Sequence, residues 1–225
     1  MNTIETDTRI LVTGFEPYAE AFNASGALVQ SLQDELPQEL AGLPATLAFE
    51  VLDCAAGSRE FEHHELERQL LELLQRYRPS VCIHTGQAPV YNKITVEKLA
   101  TNSFLREVID PARPAAYWSN LPGIDGLRSA LESRGIPCGY SYYGGQHLCN
   151  HLLYSSLFFA EQNGTSHTAG FIHFPLLPEQ LISHYRDAPC MPLSMTRKAL
   201  SLIISHVVRD ALPGGRRSDA VELSH

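Results

Sequence analysis

The chain has no Cys-x-x-Cys pair, no run of lysines or arginines, and no apolar stretch approaching the length of a membrane span. Each absence closes a class. Without a Cys-x-x-Cys a structural zinc site is not expected, and the adjacent His63-His64 does not supply one, because neighbours on a helix face different ways. His151, His184 and His206 read as packing or solvent positions rather than metal ligands. The five cysteines, Cys54, Cys82, Cys138, Cys149 and Cys190, are an odd number at wide spacings. That fits free thiols in a reducing cytoplasm better than a secreted disulfide framework. A formal charge of −8 leaves no footprint for nucleic acid, and no basic amphipathic segment suits a membrane surface. Met1 to Thr8 is polar and acidic, with no basic region ahead of an apolar one, so no secretory leader is expected there.

What is present is ordinary globular material. The 225 residues are 44% hydrophobic and 19% charged, enough for one sizeable core. A single domain over 1–225 is expected, with 1–8 and 213–225 as frayed termini. Short apolar runs read as strands at Ile10-Leu11-Val12, Thr46–Leu52, Ser80–His84 (closed by Gly86), Gly139–Tyr143 and Ala169–His173. Ile94–Ala100 reads as extended and Asp110–Tyr117 as an irregular excursion. Helices are expected from Ser25 as cap to about Leu36, over Ser58–Tyr77 with a Leu66, Leu70, Leu73, Leu74 stripe, over Pro122–Arg134 ahead of Gly135, over Asn150–Glu161 and over Pro192–Leu212. Strands alternating with helices predict a three-layer α/β/α sandwich around a largely parallel, mixed sheet. In such folds sites gather at the carboxyl ends of strands, which here means Gly14–Tyr18, Gly86–Ala88, Gly144–Cys149 and His173 with Pro175.

Two of those ends carry chemistry. Cys149 follows Gly144-Gly145 and opens an apolar helix; His173 ends the strand Ala169–His173. A free thiol titrates near about 8.5, so attack on an amide needs help in forming thiolate. A helix N-terminus and a nearby imidazolium both favour the anion, and the N–H groups of the helix start would suit an oxyanion. Taken alone, Cys149 is equally a core thiol, His173 a satisfied buried histidine, and Glu97 an exposed strand carboxylate beside Lys98.

In combination these segments resemble the pyroglutamyl peptidase I family, over about Arg9 to Val208. Thr13-Gly14-Phe15-Glu16-Pro17-Tyr18 is similar to the family's opening loop. Gly86-Gln87-Ala88 with Ile94-Thr95-Val96-Glu97 resembles its glutamate block, and Cys149-Asn150 its nucleophile block. Gly170-Phe171-Ile172-His173-Phe174-Pro175-Leu176-Leu177-Pro178-Glu179-Gln180 resembles its histidine block, and Ser194-Met195 ahead of a terminal helix also fits. The resemblance implies Cys149 as nucleophile, His173 as base then acid, and Glu97 as the group orienting His173. It implies a lactam pocket from Phe15, Tyr18 and Gln87, with His147 and Leu148 ahead of the nucleophile and Arg106 as the family's nearby arginine. It further implies a cytoplasmic, cofactor-free enzyme, dimeric or tetrameric, removing N-terminal pyroglutamyl residues from peptides. The chain departs from the family at Ala19-Glu20, at Pro89-Val90-Tyr91 where Gly-Gly-Arg is usual, at His147 where an aromatic is usual, and at Tyr18. Those departures keep two rivals open: the same thiol chemistry, as amidase or acyltransferase, on another small amide or lactam, and a non-catalytic homologue.

Overall fold

A computed structural model describes residues 8–17, 22–54, 63–162, 166–183 and 187–212. In chain order the elements are β1 (Arg9–Phe15), α1 (Ala24–Asp34), α2 (Gln38–Ala41), β2 (Thr46–Leu52), α3 (His63–Tyr77), β3 (Val81–Gln87), β4 (Ile94–Glu97), β5 (Leu99–Thr101), β6 (Ser103–Phe104), β7 (Glu107–Val108), β8 (Ala116–Trp118), α4 (Leu127–Glu132), β9 (Cys138–Ser141), α5 (Leu148–Gln162), β10 (Thr168–Phe174), α6 (Gln180–Ser183) and α7 (Leu193–Ala211).

Six strands form the central sheet in the order β2-β1-β3-β10-β4-β9. The first four run parallel; β4 is antiparallel to β10, and β9 follows β4 in parallel. The sheet is therefore mixed and mostly parallel. β1 and β3 are buried on both faces, which is why their sequences run apolar almost without alternation. One face carries Ile10, Val12, Ile83, Val96 and Ile172 against Leu28 and Leu32 of α1, Leu127 of α4, and Ile203, Ile204, Val207 and Val208 of α7. The other carries Leu11, Cys82, Ala169 and Phe171 against Leu66 and Leu70 of α3 and Leu152, Leu153 and Leu157 of α5. These are the three layers. Each fully buried aliphatic side chain is worth about 2 kcal/mol, so both helical layers are held by apolar burial rather than helix propensity.

Several expectations shift in detail. Asn23, not Ser25, caps α1: its Oδ1 accepts from the Ser25 backbone N at 3.0 Å. The Ser25 hydroxyl instead accepts from Phe15 N at 3.1 Å, tying the helix start to the end of β1. β3 does not stop before Gly86 but runs through it to Gln87, because β10 pairs with it as far as Phe174. The extended stretch after Ile94 breaks at Lys98 into β4 and β5, and the latter leaves the main sheet to pair with β8. The segment expected as a helix from Pro122 begins with a 3-10 turn at Ile124–Gly126 before α4. For the helix expected from Ser58, the structure describes His63 onward.

Among the described residues, no helix is long and apolar enough to cross a membrane.

Candidate active site

Three strands and one helix converge on His173. The residue is the sixth of β10, beside Gly86 of β3 and Thr95 of β4. Phe171, two residues earlier on the same face, pairs with Glu97 of β4. The reversed direction of β4 thus sets Glu97 diagonally across from His173. The Nδ1 of His173 lies 2.8 Å from Glu97 Oε1, with His173 5% and Glu97 0% exposed. With Nδ1 taken up by the carboxylate, the imidazole keeps its other nitrogen for Cys149, whose sulfur lies over Gly86, the β3 partner of His173, and acts directly on the ring. Burial opposes charge on this ring, but the Cys149 sulfur and the Glu97 carboxylate beside it prevail and push its pKa up to about 9.

Cys149 is the second residue of α5 and half-buried. Its sulfur packs over the backbone of β3. A Cβ added to Gly86 would stand 2.9 Å from Cys149 Sγ and 2.8 Å from Phe171 Cζ, nearer than side chains tolerate, so only glycine lets the Cys149 sulfur settle there. The first in-helix bond of α5 runs from His151 N to His147 O at 3.1 Å. The N–H groups of Leu148, Cys149 and Asn150 precede it and point out along the axis as donors of the helix terminus. Asn150 fixes that terminus. Its Nδ2 donates to Thr101 O at 2.9 Å and Ser103 O at 2.8 Å, while its Oδ1 accepts from Thr101 N at 2.9 Å.

The other cysteines sit in different surroundings. Burial pushes Cys54 and Cys138 up to about 11 and Cys82 up to about 12. Cys82 lies on the same strand and face as Gly86, four residues earlier, yet far inside the core. Between them His84 is bonded through Nδ1 to Thr13 Oγ1 at 2.8 Å, and burial, with His167 nearby, drives its pKa down to about 3. It is a neutral packing residue.

The residues expected around a substrate are scattered in role. Gln87 ends β3, and its Oε1 accepts from Ala24 N and from Gln180 Nε2, both at 2.9 Å. Phe15 is 4% exposed and packs within the α3–α5 layer. Leu148 is buried in the same cluster. His147 is exposed, with its ring 5.3 Å from that of Phe104. Arg106 is exposed at the tip of the β6–β7 hairpin and donates from Nε to Gln146 Oε1 at 3.2 Å, so it grips the loop ahead of the nucleophile. Leu105 and Arg106 both have positive φ, 50° and 71°, the geometry of a tight hairpin turn that asparagine and glycine adopt more easily. Tyr18, with Ala19 and Glu20, lies outside the described residues, as does His184. His151 packs beside Glu67, and His206 Nε2 meets Gly123 O at 2.9 Å.

Two features were not visible as functional in the sequence. One is Asn150, whose only signal was its place directly after Cys149. The other is Tyr91, visible only as a departure from the family pattern. Its ring meets that of His173 at 5.6 Å between centroids and 72° between planes, and its hydroxyl is 3.4 Å from Glu97 Oε1.

Comparison with known proteins agrees with this architecture. A family described as pyroglutamyl peptidase matches residues 8–210. Pyrrolidone-carboxylate peptidase of Bacillus thuringiensis is 31% identical over 214 residues, covering 87% of this chain and 90% of the relative. That of Pyrococcus furiosus is 30% identical over 223 residues, covering 91% and 100%. The crystal structure of pyrrolidone carboxyl peptidase from Pyrococcus furiosus superposes with a TM-score of 0.79 at 29% identity, over 91% of this chain and 100% of the other. Pyroglutamyl peptidase I from Bacillus amyloliquefaciens superposes at 0.76 and 27% identity, over 90% and 95%.

Proposed function

The chain belongs to the pyroglutamyl peptidase family, and from that premise we propose that it is a cysteine omega peptidase in which Cys149, His173 and Glu97 together remove an N-terminal pyroglutamyl residue from peptides. The observation that carries the assignment is the line of contacts from Glu97 through Nδ1 of His173 to the Cys149 sulfur. The thiolate of Cys149 adds to the acyl carbonyl, and the oxyanion so formed meets the N–H donors at the start of α5. His173 gives its proton to the amine nitrogen, the C–N bond breaks, and the shortened peptide leaves. A water that loses its proton to His173 attacks the thioester. Free 5-oxoproline departs and the thiolate returns. Glu97 holds the imidazole in the orientation both halves require.

For recognition we assign Gln87 the polar part. Its carbonyl oxygen is committed to Ala24 and Gln180, which leaves its amide nitrogen to meet a lactam carbonyl. Phe15, Tyr18, Leu148 and His147 are assigned to the walls, and Arg106 to holding the nucleophile loop. The five free cysteines support a reducing, cytoplasmic setting. A homo-oligomer, dimer or tetramer, is proposed from the family. The exposed Trp118, Tyr142 and Val90 offer apolar area for it, and light scattering after gel filtration reads the assembly directly.

Hydrolysis of a pyroglutamyl amide with a chromogenic leaving group is the test. Wild type releases the chromophore and Cys149→Ser does not, with the two proteins melting alike. No release by wild type, together with selective alkylation of Cys149, would transfer the same chemistry to another acyl group. Alkylation of Cys149 no faster than that of Cys54 or Cys82 would remove the enzyme reading altogether.

A further inference from the structure

Among the described residues, Tyr91 is the one whose hydroxyl meets Glu97 while its ring meets His173. It sits in the connection from β3 to β4, where a turn closed by Tyr91 N to Ala88 O at 3.2 Å swings it back over the sheet. The hydroxyl stands 3.4 Å from Glu97 Oε1 and 3.4 Å from Ser141 Oγ. Those two residues are register partners across the β4–β9 pair, so the hydroxyl bridges them. Ser141 accepts from Tyr143 N at 3.0 Å and donates its own proton to Tyr143 O at 3.2 Å. Ser141 Oγ is a neutral oxygen already engaged on both sides and Glu97 is an anion, so the single tyrosine proton is drawn to the carboxylate.

Glu97 has need of that donor. It is fully buried, yet Oε2 has no hydrogen-bond partner among the described residues. A buried carboxylate held only by His173 would be free to rotate about its last torsion, which is broad for such groups. A second donor on Oε1 fixes which oxygen faces the imidazole. The tyrosine ring meanwhile meets the imidazole edge-to-face, so one side chain restrains both partners. Long hydrogen bonds in an unliganded site commonly tighten when substrate arrives.

We propose that Tyr91 is a positioning residue that locks the Glu97–His173 pair in the orientation Cys149 requires. The proposal rests on the reading of Cys149, His173 and Glu97 as the reacting constellation, and goes beyond it by giving those three a fourth member from the connection between β3 and β4. The same hydroxyl couples the pair to Ser141, the last residue of β9 before the loop leading to the nucleophile. The position of the base and the start of that loop are thereby tied to one side chain. Surroundings support a neutral tyrosine in this role: burial first, and then the nearby Glu97 and Cys149, resist ionisation of its hydroxyl and outweigh the opposing bond to Ser141.

The test uses Tyr91→Phe, which keeps the ring and loses the hydroxyl, and Tyr91→Leu, which loses both. Two readouts are compared with wild type. One is the rate of alkylation of Cys149 by iodoacetamide, resolved by mass spectrometry, which needs no substrate. The other is the pH profile of pyroglutamyl reporter hydrolysis. Tyr91→Phe is expected to slow both alkylation at neutral pH and kcat by about three- to tenfold, with KM within about twofold. It also moves the alkaline limb of kcat/KM to lower pH, because a loosely held Glu97 supports the imidazolium less well. Tyr91→Leu falls further. A Tyr91→Phe protein that matches wild type in both readouts overturns the proposal. So does one whose activity drops with an unmoved alkaline limb and a lowered melting temperature, since that marks a packing role. If wild type fails to cleave the reporter, the substrate assignment fails, while the alkylation comparison still decides the role of Tyr91.

Discussion

Glu67 and Glu97 are both buried carboxylates paired with a histidine, and they are built to opposite ends. Glu67, on α3, is saturated. Arg113 Nη1 reaches its Oε1 at 2.7 Å and Nη2 its Oε2 at 3.4 Å, Ser155 donates at 3.1 Å, and His151 lies 3.6 Å away. Burial alone would push its carboxyl up, but Arg113, His151 and Ser155 hold it below the usual carboxylate range. The network joins α3, α5 and the excursion before β8 into one unit. Glu97 meets a histidine at 2.8 Å and a tyrosine at 3.4 Å, and one of its oxygens goes unmatched. A carboxylate with both oxygens engaged by a cation and a hydroxyl anchors a structure; one with little besides a histidine is free to act on that histidine.

Neutral substitution separates the two most sharply. Glu97→Gln is expected to lower kcat by about a hundredfold or more while the melting temperature barely moves. Reporter kinetics beside calorimetry check this, and a variant that keeps wild-type kcat would end the orienting role of Glu97. Glu67→Gln should do the reverse. It leaves the largely buried Arg113 guanidinium with only the half-exposed Asp110, 3.4 Å from its Nε, as counter-charge, at a cost of about 3 kcal/mol, or roughly 5–10 °C in Tm, with turnover per folded molecule within about twofold. Equal losses of activity in the two variants would erase the distinction.

Titration sharpens the same contrast, with opposite signs. The His173 pKa is raised on folding, so its stabilising contribution is complete below its ordinary value near 6.5 and is lost as pH climbs through about 9. In the proposed mechanism the imidazolium protonates the leaving amine, so activity is expected to fade over the same alkaline range. The Glu67 carboxyl is depressed, so its contribution is complete above the ordinary carboxylate value and disappears as pH falls through the lowered one. Thermal melts from acid to alkaline pH should therefore lose the acid-side slope in Glu67→Gln and only soften the alkaline-side slope in Glu97→Gln, where the Cys149 sulfur still supports the imidazolium.

The smallest effect concerns strain on the reactive side. Leu105 and Arg106 hold left-handed backbone while Leu105 N donates to Gln146 O at 2.7 Å. Replacing them together, Leu105→Asn with Arg106→Gly, relieves the turn and should raise stability by about 1 kcal/mol. No gain in denaturant melts would show that the hairpin carries no such strain.

The sequence made the layers and the candidate reacting groups legible because both are written locally. Apolar runs marked β1, β2 and β10, and a leucine stripe marked α3, since burial on one or two faces imposes its own period. Cys149 and His173 stood at element ends, and Glu97 stood out only within its block. The direction of β4 was not legible: four residues, Ile94–Glu97, carry no sign of which way they will pair, and the choice is made by β10. Partners that meet through tertiary structure were hidden for the same reason. Arg113 is 46 residues from Glu67, and Tyr91 needs the β4–β9 register to reach both Glu97 and Ser141. Tyr91 could be read as a departure, but not as a contact.

Val96 pairs with Ile172 on one side and with Tyr140 on the other, so β4 is pinned from both flanks whatever precedes it. A slip of one position would turn Glu97 to the opposite face, and those flanking pairs forbid it. The connection from Ala88 to Lys93 is thereby released from setting the strand register. Its side chains are left to serve the neighbouring carboxylate and imidazole, as the placement of the Tyr91 hydroxyl and ring illustrates.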